Sequence, residues 1–326
     1  MNRTTKRTLR RAAAAAVGLA LATSLAACGS GDDTASGDKP VLRVGVQKDG
    51  IRAILDESGQ LDGLDYEIKW SEFTAGPPIV EAASADQIDV AWVGSTPPIF
   101  GAAGDANFKI VAAVQERDKR ENSILVPKGS KLKSVKDLKG KKVALGRGTS
   151  AQGVLIKTLK EAGLELEDVR ANYMAPGDGL AAFKSGSVDA WVVWDPFVTQ
   201  AIQEADAQVL GDADTVDNGI QFEIASSKSL EDETKRANIA DFVARLGKAF
   251  AWAIDNPDVW GEGWAKESGL SPEVTKQVAR NKAADLGPVT DHVVEEQQHL
   301  ADLFFEASEL PKKITFTDIV EQGIVK

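Results

Sequence analysis

Asp86-Gln87-Ile88-Asp89-Val90-Ala91-Trp92-Val93 returns, a hundred residues later, as Gly186-Ser187-Val188-Asp189-Ala190-Trp191-Val192-Val193. Each copy follows an apparent helix and forms an apolar strand carrying one Asp and one Trp. Two such units in one chain predict two α/β lobes facing a cleft. The surrounding pattern agrees. Val41–Val46, Tyr66–Phe73, Ile88–Val93 and Phe108–Gln115 read as strands, with helices over Ile51–Glu57 and Ile79–Ala85. After Glu121 the alternation restarts: strands at Ser123–Pro127, Lys141–Leu145, Val169–Met174 and Val188–Val193, helices at Leu132–Leu138, Ala151–Ala162 and Gly179–Lys184, and a helical stretch opening at Ala201-Ile202. Alternating strands and helices predict parallel sheets covered on both faces. Gln221–Ser226 reads as a strand returning to the first unit. Beyond Leu230 the pattern is helical, and Ile314–Lys326 is expected to lie across the surface.

The N-terminus predicts an address. Arg3, Lys6, Arg7, Arg10 and Arg11 precede an apolar run, Ala12–Ala22, and then Leu25-Ala26-Ala27-Cys28. A basic start, a short apolar run and small residues before a cut are the marks of an export signal. The run is shorter than the roughly 20 residues that cross a bilayer as a helix. The layout resembles a bacterial lipoprotein signal over 1–27, with Cys28 as the lipidated first residue and 28–38 as a flexible tether. Cys28 is the only cysteine, which excludes a disulfide framework and any multi-cysteine metal site. Loss of 1–27 removes five positive charges and takes the formal charge from −11 to −16. Such a surface argues against nucleic acid as a partner.

In open α/β sheets ligands bind beyond the carboxyl ends of strands, often at helix N-termini. Four strand-to-helix turns stand out: Thr74-Ala75-Gly76-Pro77-Pro78, Gly94-Ser95-Thr96-Pro97-Pro98, Arg147-Gly148-Thr149-Ser150-Ala151-Gln152-Gly153 and Trp194-Asp195-Pro196-Phe197. Ser95 or Thr96 can cap a helix or cradle an anion, Gly148 lets backbone approach a ligand, and Thr149 and Ser150 offer hydroxyls and amides. No Lys follows the last Gly as a nucleotide-binding loop requires. Asp195 can accept from a ligand or cap its own helix. Trp194 and Phe197 can wall an apolar slot. Gln47 and Lys48 end the first strand and point toward the same mouth. The two histidines, His292 and His299, are seven apart, not at the spacing of a helical metal pair. No Ser/His/Asp or Cys/His set stands out, so neither a catalytic residue, a metal nor a cofactor is expected.

Val44-Gly45-Val46-Gln47-Lys48, Glu72-Phe73-Thr74-Ala75-Gly76-Pro77, Gly94-Ser95-Thr96-Pro97-Pro98, Asp137-Leu138-Lys139-Gly140-Lys141-Lys142-Val143-Ala144 and Val188 through Phe197 stand in an order that resembles the aliphatic sulfonate-binding proteins of ABC importers, within the taurine/nitrate/sulfonate-binding group. The likeness runs from about Lys39 to Gln221. It implies a two-lobed type II periplasmic binding protein, each lobe a mixed, mostly parallel sheet flanked by helices, with the ligand in the interlobe cleft. It places lobe I at 39–122 and 222–326 and lobe II at 123–221. It implies that Ser95, Thr96, Thr149 and Ser150 hold the sulfonate, with Gln47, Lys48, Gly76, Gly148 and Asp195 near and Trp194 against the tail. Relatives often carry Glu where this chain has Ser95, so Ser95 removes a negative charge from the turn. The resemblance also implies a monomer tethered outside the cell membrane that serves a permease and an ATPase, without chemistry of its own. Taurine, nitrate or another small metabolite are alternative ligands. An enzyme of cofactor-precursor synthesis on the same fold is a further alternative.

Overall fold

The computed structural model describes residues 39–117, 121–210, 219–282 and 284–325; the signal, Cys28 and the tether lie outside them. The first run of elements is β1 (Val41–Val46), α1 (Ile51–Glu57), β2 (Glu67–Glu72), α2 (Gly76–Ser84), β3 (Val90–Gly94), α3 (Pro97–Ala103) and β4 (Phe108–Glu116). The second is β5 (Asn122–Val126), β6 (Lys142–Leu145), α4 (Ser150–Glu161), β7 (Arg170–Tyr173), α5 (Pro176–Lys184), β8 (Ala190–Trp194), α6 (Phe197–Ala205) and β9 (Gln208–Val209). β10 (Ile220–Ser226) leads into α7 (Ser227–Glu231), α8 (Glu233–Asp255), α9 (Pro257–Ser268), α10 (Pro272–Asn281), β11 (Ala284–Gly287) and α11 (Asp291–Glu306). α2 and α5 start three residues before their apolar patterns do. Proline suits the first helical turn, where no amide hydrogen is needed, and both helices open on it.

The strands form two sheets, ordered β11-β4-β10-β3-β1-β2 and β7-β6-β8-β5-β9. β1 pairs in parallel with β2 and β3, and β6 with β7 and β8. The remaining pairings are antiparallel. The sheets are therefore mixed, and their parallel part is smaller than the alternation predicts: each is a three-stranded parallel core extended by returning strands. The sequence echo has a structural meaning. Asp89 opens β3 and Asp189 opens β8, and each sits beside the start of the central parallel strand. Asp89 accepts the Arg43 N–H at 2.7 Å and Asp189 accepts the Lys142 N–H at 2.8 Å. Their own N–H groups donate back to the Arg43 and Lys142 carbonyls, both at 2.8 Å. The same residue thus sets the same register in both sheets.

Three apolar clusters hold the layers. One lies between one face of the first sheet and α8–α10, around Leu42, Trp92, Phe242, Phe250, Trp260 and Trp264. A second covers one face of the smaller sheet with Phe183, Trp191 and Val198. The largest joins residues of both sheets, including Ile79, Ile110, Val143, Leu155, Leu300 and Phe304. The C-terminal segment does more than cross the surface. Phe316 is fully buried in the large cluster, Ile324 is buried against the first, and Val320 bridges to Ile110 of β4.

α9 supports the turn between β1 and α1. Trp260 and Trp264 stack with centroids 5.6 Å apart. Their indole N–H groups donate to the Gly50 carbonyl at 2.9 Å and the Lys48 carbonyl at 3.2 Å. Gly50 is left-handed at φ +76, and a β-carbon there would stand 2.5 Å from the Trp264 ring. A Gly50→Ala variant is expected to lose about 2–4 kcal/mol of stability in urea denaturation, from backbone strain and overpacking together. A loss under about 0.5 kcal/mol would contradict this support.

Candidate functional site

The carboxyl ends of β1, β2, β3, β6, β7 and β8 open on one cleft with two joined compartments. The outer one has about 280 Å³ and is lined by Gln47, Lys48, Glu72, Phe73, Thr74, Ala175, Pro176, Gly177, Asp178, Trp194, Pro196 and Phe197. The inner one holds about 20 Å³, room for about one water. Gln47, Gly76, Gly94, Pro97, Thr149, Ser150, Trp194 and Asp195 face it, together with Asp49, Trp92, Glu121 and Gln221. Gln47 and Trp194 belong to both.

Helix starts surround this cleft. Gly76 opens α2 and Ser150 opens α4 at the inner end, while Pro176 of α5 and Phe197 of α6 stand at the outer end. Unpaired N–H groups make each such start partially positive. Close backbone approach assembles them. A β-carbon on Gly76 would lie 2.4 Å from Pro97, and one on Gly94 would lie 2.9 Å from the Ser150 hydroxyl. The Ser150 hydroxyl donates to Asn122 at 2.9 Å, and that of Thr149 donates to the Gly146 carbonyl at 2.8 Å. Trp194 and Phe197 meet edge to face, 6.1 Å apart, and wall the outer compartment.

Seven of the residues expected from sequence therefore line the cleft: Gln47, Lys48, Gly76, Thr149, Ser150, Trp194 and Asp195. Ser95, Thr96 and Gly148 do not. Ser95 and Thr96 are buried, and the Thr96 hydroxyl faces Gly153 of α4 and has no partner among the described residues. It makes no capping bond to α3. Gly148 lies behind the lining in the left-handed region, and its N–H donates to the buried Gln152 side chain at 2.7 Å.

The inner wall is unexpectedly acidic. Asp49 is buried and accepts the Gln47 and Ile51 N–H groups at 3.0 and 3.1 Å. Asp195 caps its own helix, accepting the Thr199 N–H at 2.9 Å. Burial pushes both carboxyls up to about 6, against the pull of those hydrogen bonds and of Lys282. Glu223 lies behind them, fully buried, with neither carboxyl oxygen partnered among the described residues. Burial, then the charge of Asp49, pushes it well above the ordinary range. Among the described residues a buried cation stands against this wall: Lys282 reaches Glu121 at 2.5 Å and Glu116 at 3.2 Å. Gln221 donates to Glu116 and Glu121 and accepts from the Trp92 indole at 2.6 Å. Asp49, Glu121, Gln221 and Lys282 carry no local sequence signal, because they come from four distant segments. Both histidines are exposed on α11, away from the cleft lining.

Comparison with known proteins agrees with this geometry. A family model described as "ABC transporter, phosphonate, periplasmic substrate-binding protein" matches residues 64–243. The chain is 35% identical to the "Putative aliphatic sulfonates-binding protein" of Escherichia coli (strain K12), over 84% of this chain and 86% of that protein. It is 32% identical to the protein of the same name in Bacillus subtilis (strain 168), over 93% and 92% of the two. The alkanesulfonate-binding protein SsuA from Xanthomonas axonopodis pv. citri, solved bound to MOPS, superposes with a TM-score of 0.80 at 30% identity, over 88% of this chain and 99% of that one. The fold, the placement of the cleft and these likenesses agree: the chain belongs to the aliphatic sulfonate-binding proteins, the substrate-binding proteins of ABC importers.

Proposed function

We propose that this chain captures an aliphatic sulfonate in the cleft and delivers it to an importer permease, with no chemistry on the ligand. The supporting observation is the convergence of the α2 and α4 N-termini and Gln47 on an inner compartment, continued by an apolar outer wall of Phe73, Pro176, Trp194 and Phe197. A sulfonate is ionised at all biological pH and needs donors, not a base. The α4 start supplies them with its backbone N–H groups, and Gly76 adds one N–H at the start of α2, where Pro77 and Pro78 have none. Each helix end contributes about 0.3–1 kcal/mol, more when partly buried. The apolar wall suits an alkyl or ring tail, at about 25 cal/mol per Å² covered. The inner compartment is too small for the head group as it stands, so capture requires the two sheets to part and close again about a hinge. The expected rigid bodies are lobe I at 39–122 with 222–326 and lobe II at 123–221. The 28–38 tether and a lipidated Cys28 would keep this monomeric receptor outside the membrane near its permease and ATPase.

Calorimetric titration of the purified chain with alkanesulfonates, taurine and nitrate tests the reading. Saturable binding of an alkanesulfonate is expected, with a change in tryptophan fluorescence that a Trp194→Phe variant loses. No heat with any sulfonate at millimolar concentration would end it. Preference for taurine over a matching alkanesulfonate would place its ammonium beside Asp195. For the anchor, a labelled fatty acid is expected to enter the wild-type protein and not a Cys28→Ala variant; equal labelling would refute Cys28.

A further inference from the structure

Gln152 stands in the first turn of α4 and is fully buried, yet it does not line the cleft. A buried amide side chain is tolerated only when its donors and acceptor are paired. Here all are. Its Oε1 accepts the Gly148 N–H at 2.7 Å. Its Nε2 donates to the Tyr173 hydroxyl and to Glu309 Oε2, each at 3.1 Å. Glu309 also accepts from Arg147 at 2.8 Å and from the Tyr173 hydroxyl at 3.3 Å. The Arg147 guanidinium lies 4.0 Å over the Tyr173 ring. Burial and the neighbouring Glu309 push the Tyr173 phenol up to about 12, so it stays a donor. One side chain thus joins the Gly146–Ser150 turn, the end of β7 and the chain just beyond α11.

We infer that Gln152 is a positioning residue for the head-group end of the cleft. The turn it holds is left-handed at Gly148, φ +68, and its next two residues, Thr149 and Ser150, line the inner compartment. Ser150 is fixed from one side by Asn122, and Gln152 fixes the turn from the other. Without the Gln152 acceptor, Gly148 has a buried N–H to satisfy, and the turn relaxes to satisfy it. The start of α4 then moves relative to Gly76 and Gln47, and donors displaced by even half an ångström hold an anion poorly. Glu309 makes this support conditional: it is a carboxylate that accepts from the Gln152 amide and would repel an acid in its place. The consequence for binding rests on the sulfonate reading above; the consequence for the turn does not.

Two readouts test this. Hydrogen exchange over 146–152 in the ligand-free protein reports the turn, and titration with an alkanesulfonate reports the site. Gln152→Leu is expected to speed exchange there about tenfold and to weaken binding about tenfold or more. Gln152→Glu keeps an acceptor for Gly148 but sets a carboxylate against Glu309. It is expected to weaken binding about tenfold at pH 8, and Glu309→Gln in the same chain to restore it to within about threefold. A purely structural role would lower stability in both variants and leave alkanesulfonate affinity of the folded protein near the wild-type value. Unchanged exchange in Gln152→Leu, or no rescue in the double variant, overturns the inference. Should Gln152→Leu not fold, exchange in the glutamate pair decides, by slowing or not slowing when Glu309→Gln is added. Should the wild type bind no sulfonate, the exchange measurements still decide for Gln152, while the ligand reading fails alone.

Discussion

A Lys282→Met variant is expected to lose about 3–5 kcal/mol of stability in urea denaturation, more than any change on the exposed surface of this chain. Lys282 is 4% exposed and follows α10 directly. Its ammonium lies between Glu116 and Glu121, with Asp195 close enough to act on its charge. Burial alone would lower its pKa, but these carboxylates outweigh burial and hold it above the usual lysine range. Methionine fills a similar volume, so the loss is electrostatic: Glu121 and Glu116 both lose the ammonium that lies against them. The hydrogen bonds that Gln221 gives them do not replace a full charge. Adding Glu121→Gln to the variant removes the negative charge nearest the lost ammonium and is expected to recover about 1–3 kcal/mol. A loss below about 1 kcal/mol in the single variant would show that water already screens this cluster.

The second expected result is that alkanesulfonate affinity rises as pH falls from 8 to 5, by about tenfold or more. The ligand does not titrate in this range, so the dependence belongs to the protein. Asp49 and Asp195 face the inner compartment and titrate at about 6, against 3.8 ordinarily. Protonated, they no longer repel an arriving anion. Lys282, held above the usual lysine range by its carboxylates, stays charged and adds no step in this window. Calorimetry in buffers of different ionisation heat should show proton uptake on binding. An Asp195→Asn variant keeps an acceptor for the Thr199 N–H and is expected to flatten the profile. Flat affinity from pH 5 to 8 in the wild type would refute the coupling.

The same two groups affect stability with a definite sign. Their folded pKa lies above the unfolded one, so the folded state holds extra protons between about 4 and 6. Stability is therefore full in acid and declines as pH rises through about 6, by at most about 3 kcal/mol for each group. Asp89 acts oppositely. Burial would raise it, but hydrogen bonds from Arg43, Ser229 and Lys235 outweigh burial and hold it below the usual range. Its contribution is lost at low pH.

Much of the fold was legible because it is written in local patterns. Asp89 and Asp189 recur at one position of a repeated strand, and each pins the neighbouring strand through the same backbone bonds. Pro77, Pro97 and Pro176 mark helix starts by the geometry of proline itself. The returning strands β10 and β5 were harder to orient, since direction within a sheet leaves no trace in apolar alternation. In the cleft, Gln47, Ser150, Trp194 and Asp195 were readable because they end strands or open helices. Thr96 shares that pattern yet faces inward, because Gly153 of α4 leaves a space that its hydroxyl occupies, and Ser95 beside it is buried.

By itself, the sequence determined that this chain has two similar α/β units and turns suited to an anion, and it carries over 1–27 the pattern from which an export signal is expected. Each of these rests on interactions among neighbours in the chain. Only the tertiary structure decided that the cleft has an acidic wall, that Lys282 meets it from just beyond α10, and that Gln152 joins the α4 turn to Glu309. Those residues are brought together by sheet order and helix packing, and electrostatic energy depends on distance in space and on burial, neither of which local sequence fixes.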